Sequence, residues 1–230
     1  MENSPVTITE PAAVAALKEI YENNGPGKLE WDFRAPGQVT GRDNRLEEED
    51  GALTGLNLDT AQLKGILKLR GVETLTVLSA RGNGLYGVEL EDLPGLETLY
   101  LEDNQISDVQ TLAKLPGLEA LSLSDNRIDD IGPLAQLTGL ERLDLAGNEG
   151  LTDLAPMAGL AALQQLQLGA IQRLDLAPLA KLKALQLLTL PKDWLGDFAP
   201  LAPRLKKLRF LSFLYRWPRK ARPGGQASSG

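Results

Sequence analysis

Leucine recurs along the middle of this chain at a steady beat, with polar and apolar residues alternating around it. From Leu96 the chain reads LETLYLEDNQISDVQTLAKLPG, from Leu118 LEALSLSDNRIDDIGPLAQLTG, and from Leu140 LERLDLAGNEGLTDLAPMAGLAA. Leu163 and Leu185 open two more copies, Leu53 and Leu75 open two earlier ones, and Leu208 starts one that is not completed. The starts are 53, 75, 96, 118, 140, 163, 185 and 208, so the period stays between 21 and 23 residues. Within each copy, L-x-x-L-x-L puts its last two leucines on one face of a short strand, because side chains alternate along a strand. The first leucine enters the core from the preceding turn. One copy cannot bury that face alone, but stacked neighbours can. The pattern therefore predicts an α/β solenoid with a curved parallel sheet on its concave side.

Two further columns run through the repeats. Asn83, Asn104, Asn126 and Asn148 each fall eight residues after a repeat start. A side-chain amide there can bond backbone groups of its own turn and of the next repeat, which the turn would otherwise bury unpaired. Ile171, Asp193 and Arg216 break the column, which predicts less regular turns towards the C-terminus. Asp108, Asp130, Asp153, Asp175 and Asp197 form the second column, and the last four precede Pro133, Pro156, Pro178 and Pro200 by three residues. Asp is a good helix cap and Pro is tolerated in a first helical turn. Each convex segment is therefore expected to be a short α or 3₁₀ helix capped by its Asp.

A solenoid needs its ends covered. Residues 9–23 read as a helix, with Thr9 or Glu10 at its start, Pro11 in the first turn, and Val14, Leu17, Ile20 and Tyr21 on one face. Leu29, Trp31 and Phe33 alternate as in a strand at about 29–33, and Glu47-Glu48-Glu49-Asp50 reads as a solvated acidic loop. The expected organisation is an N-terminal helical cap over residues 1–52, repeats over 53–215, and a basic then Gly/Ser-rich tail over 216–230.

The pattern L-x-x-L-x-L-x-x-N-x-[IL], complete at Leu96–Ile106 and Leu118–Ile128, resembles that of the leucine-rich repeat family in its 22-residue class. Internalins of bacteria, and a eukaryotic phosphatase-regulating subunit, have repeats of this class. The resemblance covers about residues 53–215 and implies the solenoid fold and a bacterial source. It says little about function, since one fold hosts many partners. The roles it suggests for such a protein are a host-directed effector or an immunity protein that neutralises a toxin.

Composition narrows the chemistry. The 230 residues hold no His and no Cys. That removes imidazole bases, thiol nucleophiles, Cys/His zinc sites and disulfides. The expectation is a non-enzymatic protein that needs no cofactor, metal or small-molecule substrate. Lack of a basic or apolar N-terminal run and of any long apolar stretch leads to the expectation of a cytoplasmic protein, with signal-independent secretion left open.

The formal net charge is −7, unevenly spread. Residues 204–230 carry Arg204, Lys206, Lys207, Arg209, Arg216, Arg219, Lys220 and Arg222 and no acid, which leaves 16 basic against 31 acidic residues in the first 203. One reading of this segment is attachment to nucleic acid or anionic membrane. The other is that Phe210, Phe213, Tyr215 and Trp217 cover the last repeat.

The variable positions around the strand leucines mark the concave surface, the usual binding face of such solenoids. Its middle is acidic. Glu97, Glu119 and Glu141 occupy one column, with Glu102, Asp103, Asp125 and Asp144 nearby, and Tyr100 is expected as the exposed aromatic among them. Like charges on neighbouring strands destabilise one another, a cost that a basic protein partner would explain. Leu187, Phe210 and Leu214 offer a rival apolar site at the C-terminal end.

Overall fold

The computed structural model describes residues 6–24, 29, 31–32, 35–41, 45–169, 171, 174–191, 197, 199–201 and 210–212. Phe33, most of the basic C-terminal segment, and Leu214 lie outside them.

The chain begins with strand β1 (Val6–Ile8), helix α1 (Pro11–Asn24), β2 (Trp31–Asp32) and β3 (Val39–Gly41); the three strands pair antiparallel in the order β1-β3-β2. Helix α1 buries Ala13, Ala16, Leu17 and Ile20, with Val14 and Tyr21 only partly covered. The buried stripe is therefore turned slightly from the Val14/Leu17/Ile20/Tyr21 face, because two small alanines allow closer packing than valine and tyrosine. Glu10 ties this unit to the repeats: its carboxylate accepts from the Leu53 N–H at 3.3 Å and from Thr74 Oγ1 at 2.8 Å.

Next come β4 (Leu46–Glu49) and β5 (Ala52–Asn57), an antiparallel hairpin. Glu47, Glu48 and Glu49 are thus a strand and not the loop expected from their charge. They form the outermost strand of the large sheet, and exposed charge on an edge strand discourages pairing with other chains.

From β5 onwards the solenoid takes over. β6 (Lys64–Arg70), β7 (Val77–Ser79), β8 (Gly84–Glu91), β9 (Thr98–Tyr100), β10 (Ala120–Ser122), β11 (Arg142–Asp144), β12 (Gln165–Gln167), β13 (Leu187–Thr189) and β14 (Phe210–Ser212) follow in order. The nine-stranded sheet runs β14-β13-β12-β11-β10-β9-β7-β5-β4, parallel throughout except β4. Register is strict: Leu56, Leu78, Leu99, Leu121, Leu143, Leu166, Leu188 and Leu211 stand side by side. The leucines from Leu56 to Leu188 are buried, as are Leu58, Leu101, Leu123, Leu145, Leu168 and Leu190 two residues further on.

The convex side has two constructions. From the third repeat onwards it carries 3₁₀ helices at Gln110–Lys114, Gly132–Gln136, Ala155–Gly159, Ala177–Lys181 and Ala199–Leu201. The carboxylates of Asp108, Asp130, Asp153, Asp175 and Asp197 accept the N–H of the first residue of each, at 2.7–2.9 Å. Each Asp stands one residue outside the formal cap position. In the first two repeats, helices are replaced by β6 and β8, a two-stranded parallel ribbon. These repeats carry Gly65 and Gly87 where the later ones have the capping Asp, and β6 alternates buried Leu67 and Leu69 with exposed Lys68 and Arg70, which is a strand pattern.

The asparagine ladder joins the rungs. Asn126 Nδ2 donates to Leu101 O at 2.9 Å and Leu123 O at 3.1 Å, and its Oδ1 accepts from the Ile106 N–H at 2.9 Å. Asn104 and Asn148 repeat the arrangement. The inter-repeat bonds run to the preceding repeat and not, as expected, to the following one. The residue before each Asn has positive φ: Gly82 at 61°, Asp103 at 55°, Asp125 at 54° and Gly147 at 76°. Gly, and less readily Asp, tolerate that left-handed conformation, which lets the turn close on the amide.

Candidate functional site

Alternation about the central leucines turns the residues on either side of each towards the concave side, where neighbouring rungs bury most of them and leave Val77, Arg142, Gln165 and Leu187 partly accessible. One column is Val77, Thr98, Ala120, Arg142, Gln165 and Leu187; the other is Ser79, Tyr100, Ser122, Asp144, Gln167 and Thr189. The first column is missing from the sequence-based site apart from Leu187 and Phe210, although the two-residue period around the central leucine points to it.

Glu97, Glu119 and Glu141 lie one residue before β9, β10 and β11, so they form a rim beside the sheet. The Glu119 N–H donates to Glu97 O and the Glu141 N–H to Glu119 O, both at 2.9 Å, which keeps the column in register. Glu97 and Glu119 are exposed. Glu141 is half-buried, and its Oε2 lies 3.6 Å from Arg142 Nη1. Asp103 and Asp125 are exposed at the left-handed turn positions beyond the opposite ends of the strands.

Tyr100 corrects the expectation of an exposed aromatic: only 8% of it is accessible. It is covered by Arg81 of the preceding repeat, whose guanidinium carbon lies 3.9 Å from the ring centroid. Arg81 Nε donates to Glu102 Oε2 at 2.9 Å, and its Nη1 stands 3.9 Å from Asp59 Oδ2. The Asp59 carboxylate accepts from Ser79 Oγ and from the Arg81 N–H. Among the described residues, the exposed large hydrophobics are Tyr86 and Ile66, both on the convex ribbon.

Two acids on the concave side are drawn away from their ordinary behaviour. Asp144 is 5% exposed. Its burial, reinforced by the negative charges of Glu102 and Asp125 and opposed by the Ala146 N–H at 2.9 Å, pushes its carboxyl up to about 7. Burial also raises Glu102, against the pull of Arg81, a backbone N–H and the Ser122 hydroxyl. Charge, with Tyr100 as an aromatic among the acids, groups all eight residues in one patch. Position divides them into a rim of Glu97, Glu119 and half-buried Glu141, the turn acids Asp103 and Asp125 at the opposite ends of the strands, an Arg81–Tyr100–Glu102 cluster, and the buried Asp144 with its raised carboxyl.

Leu187 is half-buried on β13, and its strand partner Phe210 is placed only by its backbone; the Phe210 side chain and Leu214 lie outside the described residues. On the convex side a cleft of about 250 Å³ is lined by Glu19, Lys68, Leu69, Arg70, Glu89 and Glu91, with Lys68 and Glu89 paired at 2.8 Å across the ribbon. Among the described residues, no group of three or more acids is placed to hold a metal ion, and no helix is long and apolar enough to cross a membrane.

A leucine-rich repeat family model matches residues 73–128, and a two-copy leucine-rich repeats model matches residues 116–160. Comparison with curated proteins gives no match. Among solved structures, internalin C2 (inlC2) from Listeria monocytogenes is 25% identical at a TM-score of 0.54, covering 89% of this chain and 93% of that one. An internalin (inlF) from the same organism is 22% identical at a TM-score of 0.45, and the match spans 70% of this chain but 57% of that one. The plant peptide hormone receptor RGFR1, solved in complex with RGF2, is 20% identical at a TM-score of 0.46, over 65% of this chain and 29% of the receptor. Repeat columns, strand register, asparagine ladder and the family models matched over residues 73–160 together show that this chain carries leucine-rich repeats and has their solenoid fold.

Proposed function

We propose that the chain is a non-enzymatic interaction module that takes a basic protein partner on the concave side, steered by the glutamate rim. Stacked repeats create an extended concave surface, and that is how such solenoids are generally used. The observation that carries the reading is the placement of Glu97, Glu119 and Glu141 on consecutive rungs, two of them exposed, joined through 2.9 Å backbone bonds. Side chains in such a column are about 5 Å apart, and two like charges at that spacing repel by on the order of 1 kcal/mol even in water. A basic surface laid across the rim turns that repulsion into attraction and speeds encounter.

The test is an affinity pull-down with mass spectrometry, comparing the wild-type chain with Glu97→Lys/Glu119→Lys/Glu141→Lys. A basic protein retained by the wild type and lost by the triple variant, with melting curves showing both folded, is the expected result. Identical retention by both chains contradicts the proposal.

A further inference from the structure

The Arg81 side chain bridges three successive repeats. It leaves the turn after β7 and reaches the next rung, where its guanidinium stacks on Tyr100, meets Glu102 on one side and faces Asp59 on the other. An aromatic face with a carboxylate at each edge suits a guanidinium: the ring attracts the cation and the planar fork matches the carboxylates. The walls are tied to the sheet: Tyr100 ends strand β9, Glu102 follows it by two residues, and Asp59 is held by Ser79 and by the Arg81 N–H. The Arg81 side chain hangs on a long stem with several rotatable bonds and, at 27% exposed, is as accessible as Asp59 and more so than Glu102.

We propose that Asp59, Tyr100 and Glu102 form a seat for an arginine side chain of the partner, and that Arg81 fills this seat in the free chain. The inference rests on the concave side being a protein-binding surface and adds what that surface recognises. As an intramolecular occupant, Arg81 competes at an effective concentration of millimolar or more. An arginine displaces it only when delivered by a partner that the surface already holds. Lysine, a compact cation without the planar fork, is a poor substitute. The seat thus acts as a filter among basic partners that the rim alone would accept.

The probes are acetyl-Gly-Arg-Gly-amide and its lysine and citrulline counterparts, titrated at low salt while the Tyr100 ring resonances are followed by NMR. The chains are wild type, Arg81→Ala, and Arg81→Gln, which keeps part of the stem over the ring but no charge. Both variants are expected to bind the arginine peptide at least about tenfold more tightly than the wild type does, a difference of about 1.4 kcal/mol. The citrulline peptide gains nothing, and Glu102→Gln added to Arg81→Ala cancels the gain. Equal binding of the arginine peptide to all three chains overturns the proposal, as does an equal gain with citrulline. Melting curves report folding; if both variants unfold, Arg81 is a strut without which no seat exists, and the proposal is overturned too. Peptide uptake does not depend on Glu97, Glu119 and Glu141. Failure of the seat therefore shows in the peptide titration, and failure of the rim shows in the pull-down.

Discussion

Leu121→Asp is expected to leave the chain largely unfolded at room temperature. Leu121 is fully buried in the central strand β10, with Leu99 and Leu143 in register on either side. Removing such a side chain costs about 2–5 kcal/mol from lost burial and the cavity left behind. The new carboxylate must also be charged or protonated among leucines without a partner, which adds several kcal/mol more. Domains of this size are stable by only about 5–15 kcal/mol. Because repeats are stabilised by their neighbours, damage to a middle rung weakens the stacks on both sides. Far-ultraviolet circular dichroism and a thermal melt read the result, with Leu121→Val as the mild control. A melt like that of the wild type would mean that the rung assignment is wrong.

The second large effect is on pH dependence, through Asp144. Its carboxyl is pushed up to about 7 in the folded chain, against an ordinary value of 3.8. Between those values the folded state holds a proton that the unfolded state has released. Unfolding then releases a proton, so stability falls as pH rises through this window. The contribution is fully present below about pH 4 and lost above about pH 7, and its full size by linkage is about 4 kcal/mol, less whatever water penetration relieves. Glu102, also raised by burial, adds a slope of the same sign. Asp144→Asn keeps an oxygen for the Ala146 N–H and cannot ionise. The variant is expected to exceed the wild type by roughly 2 kcal/mol at about pH 8 and to match it near pH 4, leaving only the Glu102 slope. Denaturant melts across that range measure it, and parallel wild-type and variant profiles would show that Asp144 titrates normally.

These two residues show what the sequence could and could not reveal. Leu121 was legible because its column repeats and because burial of alternate leucines needs nothing beyond strand geometry. Asn126 was legible for the same reason, although the direction of its inter-repeat bonds was not. Asp144 and Glu119 read alike as acidic neighbours of strand leucines, yet one sits inside the strand and is buried while the other precedes its strand and is exposed. Three positions in the repeat separate those fates, and the strand bounds are what decide them. Tyr100 was misjudged because its cover, Arg81, comes from the preceding repeat and spacing does not report which way a long side chain reaches. The convex ribbon did leave a signal, the alternation in Lys64–Arg70, but the helix signature of the later repeats was extended over it. The charge of Glu47–Glu49 suggested a loop, whereas an edge strand is where such charge protects the sheet.

Steering of a basic partner by the rim is a property of the encounter rate. The direct measurement is the association rate of the captured partner with wild type and Glu119→Gln, at about 50 and 300 mM salt, where screening differs more than twofold in length. In the free chain, removing one of three in-register charges is expected to raise stability by a few tenths of a kcal/mol whether or not a partner exists. With the partner, Glu119→Gln is expected to associate more slowly at low salt, the difference shrinking at high salt, and to dissociate at nearly the wild-type rate. An association rate for Glu119→Gln equal to that of the wild type at both salt concentrations would contradict steering by the rim.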